Sequence, residues 1–545
     1  MTTLRNAVLA ALACLVLAGA NVPARAGETN EVTFGTQWWT QSHNDAKYRE
    51  FRDLPQGGIL ESFLLRQWSG RTLLTVTGVN GLAADQATRI TLSNGVKYRV
   101  DFGYSETPHL FSNSARWGWN QVSPGVFVLP DTLQSRNQSF SSSFASRMLD
   151  YLKAAPYIGL GFDTRVSNVR ARMIPAKGWN LEARSSLRQR DGLKPYAMSF
   201  GFSTAVENPE PIDQSMLDVD LVADYRKNDF TFQASGGLSR FDNAISTLFV
   251  DNPRRVTNVN GGDGTAVGAM DLYPDNQVLR GSVAVGYMLP RRSSLTATLT
   301  MAHGRQDDPF LPITNNLALP QSSPDSLPAA NLDGKTTQIT SDIRLRTSPM
   351  EKLDGTLKFH YSEYQNQSAE LGFIGQAPYE ASFQRFAPLH NHLFDFTQFQ
   401  FGADADYEVA PNATIGGVAE YRVRERSPRE VEKDHETVLG GRLRWLAPHD
   451  INVRADYTRG DRRMDEFLAE DYIGVKARPS TGVYDSLGQV EHPNLRRYDV
   501  ADRRQDLGSL GISMPVGDRI DLDAGWSLTR NDYTDEAAAD SMLGL

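Results

Sequence analysis

Residues 217–239 read LDVDLVADYRKNDFTFQASGGLS, and their spacing decides the fold. Leu217, Val219, Leu221, Ala223 and Tyr225 alternate with Asp218, Asp220, Val222 and Asp224. Successive side chains of a β-strand point to opposite faces, so one face is apolar and the other mostly carboxylate. After Lys227-Asn228-Asp229, a tight-turn composition, the alternation resumes. Phe230, Phe232, Ala234, Gly236 and Leu238 now stand against Thr231, Gln233, Ser235, Gly237 and Ser239. The unit is an antiparallel hairpin with one face for hydrocarbon and one for polar surroundings.

The unit recurs along the chain. Leu279, Gly281, Val283, Val285 and Tyr287 lead into a turn at Pro290-Arg291-Arg292-Ser293, and Leu295, Ala297, Leu299 and Met301 leave it. Phe399, Phe401, Ala403, Ala405 and Tyr407 lead to Pro411-Asn412, and Ile415, Gly417, Ala419, Tyr421 and Val423 leave. Leu439, Gly441, Leu443 and Trp445 lead to Pro448-His449-Asp450, and Ile451, Val453, Ala455 and Tyr457 leave. Ile520, Leu522, Ala524, Trp526 and Leu528 follow Pro515-Val516-Gly517-Asp518.

Two features separate this pattern from a soluble sandwich. About eleven residues rising about 3.3 Å each and tilted about 45° span roughly 25 Å, the height of the apolar band of an outer-membrane barrel, whereas soluble strands cluster near five or six residues. The connections also alternate. Ser69-Gly70, Asn94-Gly95, Pro175 to Gly178, Lys227 to Asp229 and the proline turns are tight, while 106–156, 240–275, 305–334, 364–394 and 462–500 are long and polar. Short periplasmic turns with long external loops mark this architecture. Tyr225, Tyr287, Tyr407 and Trp445 each precede a tight turn by a few residues, where amphipathic rings settle in the headgroup layer.

The opposite faces are polar. Asp218, Asp220, Asp224, Asp404, Asp406, Glu420, Arg422, Arg442, Arg444 and Arg454 all point inward in this register, with Gln398, Gln400, Arg424, Asp456, Asp521 and Asp523. A charge facing lipid would cost up to a few kcal/mol, so these side chains line a wet lumen or meet a polar partner. They are the candidate contact residues.

The chain of 545 residues has net charge −9 and 40% hydrophobic residues, with no break in composition. It opens with Arg5, an apolar run from Ala7 to Ala20, and Ala24-Arg25-Ala26, an A-x-A cleavage pattern. Residues 1–26 thus read as a signal peptide and 27–545 as the barrel. Cleavage removes two arginines and takes the charge to about −11. The single cysteine, Cys14, lies in the apolar run, so the mature chain has no thiol for a disulfide, a cysteine-zinc site or covalent haem attachment. No later apolar run approaches the length of a membrane helix, and an acidic chain without a basic cluster argues against nucleic acid.

Counting alternations gives nineteen strands. The last, 519–530, leads toward the long-loop side, and the chain stops at Asp540-Ser541-Met542-Leu543-Gly544-Leu545. The expectation is an all-β, large antiparallel transmembrane β-barrel that is incomplete at its C-terminus.

Scattered residues add a resemblance. They are Tyr104 with Glu106-Thr107-Pro108-His109 and Arg116; Gly192-Leu193-Lys194-Pro195; Ser239 to Asn243 with Asp251-Asn252-Pro253; and Leu289-Pro290-Arg291-Arg292. Next come Gln306-Asp307-Asp308 with Phe310-Leu311-Pro312, then Ala318-Leu319-Pro320 before Leu332-Asp333-Gly334-Lys335. The last are Arg496-Arg497-Tyr498-Asp499 with Ala501-Asp502-Arg503, and Asn531-Asp532-Tyr533 with Leu543-Gly544-Leu545. In this order they resemble the decahaem-associated outer-membrane barrels of the MtrB/PioB type.

That resemblance implies a barrel of about twenty-six strands enclosing a periplasmic multihaem c-type cytochrome, so that electrons cross the outer membrane. It also implies an extracellular cytochrome on the outer loops, and lipid and lipopolysaccharide around the wall. Haem would belong to the partner, and this chain would carry no cofactor. The C-x-x-C of some metal-reducing members is missing, and the chain ends about seven strands short of the family pattern.

Other candidate sites are weak. His390 and His392 lack a third ligand nearby. Gly261-Gly262-Asp263-Gly264 reads as a flexible loop tip, since no helix follows to hold a phosphate. Asp333-Gly334 is a turn dipeptide. Residues 138–155 read as a short helix with Met148, Leu149 and Leu152 on one face, packed within the loops. There is no G-x-S-x-G or H-E-x-x-H element, so no enzyme is expected. The rival to the cytochrome sheath is a diffusion porin or transporter.

Overall fold

The computed structural model describes residues 30–40, 45–201, 204–466, 476–477, 484–485, 498–517 and 519–533. The expected signal peptide with Cys14, the pair Arg496-Arg497 and the C-terminal Asp540 to Leu545 lie outside the described residues.

Nineteen strands form one antiparallel sheet, the number expected from alternation. The first seven are β1 (Glu31–Gln37), β2 (Gly57–Ser69), β3 (Thr72–Gly81), β4 (Ala87–Asn94), β5 (Tyr98–Arg116), β6 (Tyr157–Met173) and β7 (Trp179–Phe200). They continue with β8 (Thr204–Lys227), β9 (Phe230–Asn243), β10 (Asn276–Leu289), β11 (Ser293–Gln306), β12 (Gly334–Met350) and β13 (Leu353–Asn366). The last six are β14 (Asp395–Ala410), β15 (Ala413–Ser427), β16 (Lys433–Ala447), β17 (Ile451–Met464), β18 (Arg503–Val516) and β19 (Ile520–Tyr533). Each strand pairs with its neighbours in the chain. Among the described residues β1 pairs only with β2 and β19 only with β18, so the sheet is open between those edges.

The register bears out the alternation. Leu221 stands between Ala183 and Gly236, and Asp220 between Arg184 and Gly237. Leu221, Leu279, Leu357, Leu439 and Trp526 on the apolar face are all exposed, as lipid-facing side chains are in the absence of lipid. The apolar band ends toward the long loops in charged or polar residues, such as Arg165, Arg240, Arg305, Glu363, Glu425, Arg459 and Arg530. Toward the tight turns it ends in rings. Trp179 lies 4.8 Å from Tyr225, and Tyr225 lies 6.5 Å from Phe230, between ring centroids. The tight turns use left-handed residues where expected, including Gly70 (φ 62°), Gly95 (φ 49°) and Gly178 (φ 87°).

Three expectations need correction. The first long loop begins at 117, not 106, because β5 keeps pairing with β6 up to Arg116↔Tyr157. Register shifts around Ser112 break the period-2 pattern there. The expected helix 138–155 is two helices, α1 (Asp131–Ser139) and α2 (Phe144–Ala154). In α2, Met148 is buried and Leu152 packs against the same core, but Leu149 is 54% exposed. Gly261 to Gly264 is a docked segment, not a free tip. The Gly261 amide donates to the Ala381 carbonyl at 2.6 Å, and a Cβ on Gly264 would meet the Glu380 carbonyl oxygen at 2.6 Å.

The long loops fold together. Segments 247–251 and 267–271 pair as a hairpin, 126–128 joins 247–251 in parallel, and 120–123 completes a small four-stranded sheet. Trp117, Trp119, Phe127, Leu129, Met148, Leu248 and Val250 form a buried core with Met198, Phe200 and Val206 of the β7–β8 hairpin. Trp117 and Trp119 stack with centroids 4.3 Å apart.

Candidate functional site

The predicted lumen residues lie on one face, where the register gives most of them partners. Asp218 and Asp220 both face Arg280, at 4.0 and 2.8 Å. Asp224 accepts from the Asn180 amide at 2.7 Å and from Gln233 at 2.6 Å. Asp404 pairs with Lys358 at 2.6 Å and with Arg442 at 3.5 Å, and Arg442 also holds Asp406. Glu420 accepts from Gln400 at 3.2 Å. Arg422 pairs with Glu436. Arg444 and Arg454 stand opposite each other, and neither has an ion pair among the described residues.

Two of these pairs share a construction. Arg280 on β10 reaches Asp220 on β8 across Gly237 of β9, and Arg442 on β16 reaches Asp406 on β14 across Gly416 of β15. Adjacent strands lie about 4.8 Å apart, so the bridge must pass over the middle strand. A Cβ at Gly237 would sit 2.3 Å from Asp220 Oδ1, and one at Gly416 2.1 Å from Asp406 Oδ1. Only glycine leaves the path open. Gly416→Val should therefore break the bridge and cost about 1–3 kcal/mol from overpacking. The temperature at which the folded band is lost on gels should fall. Gly525→Val, at a lumen-facing position with nothing within 4 Å of its Cβ, should leave that temperature unchanged. Equal shifts in the two variants would contradict the construction.

Near the long-loop end the charges crowd together. Arg422, Glu436, Arg462 and Arg503 occupy successive strands in one row. Glu436, only 4% exposed, is held by Arg422 and by Arg503, the latter at 2.6 Å. Arg462 donates to the Ala501 carbonyl at 2.9 Å and to that of Tyr498 at 2.5 Å. Glu436, Arg462 and Lys358 escaped the sequence reading of the wall, and so did two further residues. Glu182, 8% exposed, binds Arg170 at 2.7 Å and also Arg184. Arg280 binds two of the predicted aspartates. Their inward positions in the alternation were the available signal.

The folded loops gather against the lumen-side face at the long-loop end. The β7–β8 register runs unbroken from Trp179↔Tyr225 to Phe200↔Thr204. Met198, Phe200 and Val206 therefore continue the face that carries Glu182, Asp220 and Asp224. Because the loop core packs on those three residues, it rests on the lumen side of the projecting hairpin and forms a cap at the long-loop end.

Polar side chains stitch the cap together. Asn252, fully buried, donates to the carbonyls of Asp263 and Thr265 at 3.0 and 2.8 Å. Gln134 and Asn137 of α1 donate to the carbonyls of Asn252 and Pro253 at 2.9 and 2.7 Å. The Glu380 carboxylate accepts from the Ala269 amide at 3.1 Å, Thr314 Oγ1 at 2.9 Å and the Asn315 amide at 2.6 Å, tying three loops. Burial raises its pKa, while those donors pull it down.

The weak candidates stay apart from the lumen charges. His390 pairs with Glu370 at 2.8 Å on the loops, and Asp333 (φ 46°) binds Lys335 at 2.6 Å in a turn. No cluster of metal-ligating side chains occurs among the described residues.

A long antiparallel sheet with a girdled apolar face, a charged face and loops gathered at one end defines an outer-membrane β-barrel. The family model of the MtrB/PioB outer membrane beta-barrel porins matches residues 41–545. The chain belongs to that family. No curated protein sequence matches it.

Solved barrels resemble it distantly. The alcaligin outer membrane receptor FauA from Bordetella pertussis is 7% identical with TM-score 0.40, covering 87% of this chain and 61% of its own. The ferric-catecholate import receptor Fiu from E. coli K12 is 8% identical with TM-score 0.40, covering 86% and 66%. The copper transporter OprC is 10% identical with TM-score 0.40, covering 87% and 63%. The chain thus spans less than two thirds of the length of these barrels.

Proposed function

We propose that this barrel is a sheath that holds a periplasmic multihaem c-type cytochrome, so that electrons cross the outer membrane through the partner's haems. The observation that carries the reading is a lumen wall of mixed, largely paired charge, capped at the long-loop end. Such a wall presents many weak polar contacts to a folded protein. The cap leaves the tight-turn end as the partner's way in, and short turns face the periplasm in barrels of this kind. The barrel supplies position and insulation, not redox chemistry. Export through the signal peptide of residues 1–26 belongs to the same proposal. Arg444 and Arg454, which have no ion pair among the described residues, are the residues proposed to meet carboxylates of the partner.

The family description as a porin favours a second reading, a channel open to small solutes. Co-expression with a multihaem cytochrome separates the two. A sheath co-purifies with haem and conducts little in planar bilayers when filled, and Arg444→Glu with Arg454→Glu lowers the haem-to-barrel ratio. Full conductance in the presence of the cytochrome, with no haem retained, would overturn the sheath.

A further inference from the structure

The acidic balance of the chain is reversed at one place. The first five tight turns each carry exposed cations: Arg71; Lys97; Lys177; Arg226 with Lys227; and Arg291 with Arg292. Asp229 is the only acid among these turns. None of the seven cations has an ion pair among the described residues, although such pairs are frequent elsewhere in the barrel. The turns after β12 and β18 balance instead, with Glu351 against Lys352 and Asp518 against Arg519; the turn after β16 carries Asp450 and no Lys or Arg, and the turn after β14 carries no charge. The cations therefore form an arc under β2 to β11, not a ring.

The arc runs beside the aromatic girdle. Tyr98, Trp179, Tyr225, Phe230 and Tyr287 lie on the lipid face of the same strands, within a few residues of the same turns. Trp179 pairs in register with Tyr225, and Phe230 with Tyr287. Rings of this kind sit at headgroup depth, and the cations stand one step further from the apolar band. Arg291 (φ 58°) and Arg292 (φ 53°) occupy the left-handed region, a geometry that Asn-Gly fills most readily. The turn carries two positive charges despite the backbone cost.

We infer that this arc is a binding surface for the phosphodiester headgroups of anionic glycerophospholipids, selecting them for the tight-turn leaflet beside β2 to β11. The charge is complementary, long basic side chains reach the phosphate layer, and the girdle fixes their depth. Short turns face the periplasm, so the leaflet concerned is the phospholipid one.

The test uses the full chain extracted from outer membranes into nanodiscs, probed with spin-labelled phosphatidylglycerol and phosphatidylcholine. Basic side chains near an anionic surface contribute enough to give phosphatidylglycerol an advantage of about threefold or more in the motionally restricted fraction, shrinking at high salt. A variant with Arg291→Asn, Arg292→Gly, Lys227→Gln and Lys177→Gln should bring the ratio close to unity. Its heat-modifiable mobility should be kept, since Asn-Gly suits the turn. Arg291→Lys with Arg292→Lys should retain the preference. Equal association of the two lipids with the unaltered protein would overturn the inference. So would a preference that survives in the four-site variant. A variant that keeps its lipid preference but loses a co-purifying periplasmic protein would assign the arc to an acidic partner instead.

Discussion

Leu221→Arg should remove the protein from the outer-membrane fraction, while Asp220→Asn should leave it there. Leu221 is 60% exposed at the middle of the apolar alternation of β8, between Ala183 and Gly236 on the neighbouring strands. An arginine at mid-depth on the lipid face costs about 2–4 kcal/mol, a large share of the stability a folded chain keeps in reserve. Asp220 is one residue away and faces the lumen, where it binds Arg280 at 2.8 Å. Both partners are about one third exposed, so the pair is worth no more than about 1 kcal/mol. In the asparagine variant Arg280 keeps Asp218 at 4.0 Å. The measurement is membrane fractionation with heat-modifiable gel mobility. Matched loss of both variants would mean that the assignment of faces is wrong.

The second large effect falls on the cap. Phe200 is fully buried where the β7–β8 hairpin meets the loop core. Truncating a buried phenylalanine costs about 3–5 kcal/mol, and a core this small has little to spare. Phe200→Ala should open the cap to trypsin at Arg136, Arg147, Arg254 and Arg255, while the wall stays folded. Phe140→Ala, at a position 61% exposed in the same loops, should leave the digestion pattern unchanged. If Phe200→Ala resists trypsin as the unaltered protein does, the loops hold together by some other means.

The two regions differ in how far they could be read. The wall was legible because each strand repeats a local rule. Leu217 to Tyr225 declares its faces in nine residues, and Asn228-Asp229 supplies the turn that fixes the pairing of β8 with β9. Partners within the wall were less so. The alternation places Asp220 and Arg280 on one face, but only the three-strand register shows that they meet across Gly237. The cap was mostly hidden. Its core draws Trp117, Phe127 and Leu248 from segments too short to show a period, and joins them to Met148 of a short helix and Met198 at the end of β7, all far apart in the chain. Helix α1 lacks an amphipathic pattern, since its buried side chains are Gln134 and Asn137. Asn252, part of the stretch that carried the family resemblance, turned out to be a buried stitch. The structure thus gives that stretch a physical reason for its residues.

The glycine-spanned bridges reach beyond charge neutralisation. A slip of one residue between strands would turn every apolar side chain toward the lumen, and the bilayer penalises it at once. A slip of two residues keeps every side chain on its proper face, so hydrophobicity is blind to it. Arg280 with Asp220, and Arg442 with Asp406, are not blind. Sliding the outer strand against the middle one by two places moves the arginine off its glycine and onto a residue with a side chain, Ser235 or Ser239 for Arg280 and Thr414 or Val418 for Arg442, which obstructs the bridge. These triads therefore act as alignment pins for assembly, choosing among zippered arrangements that lipid alone could not tell apart.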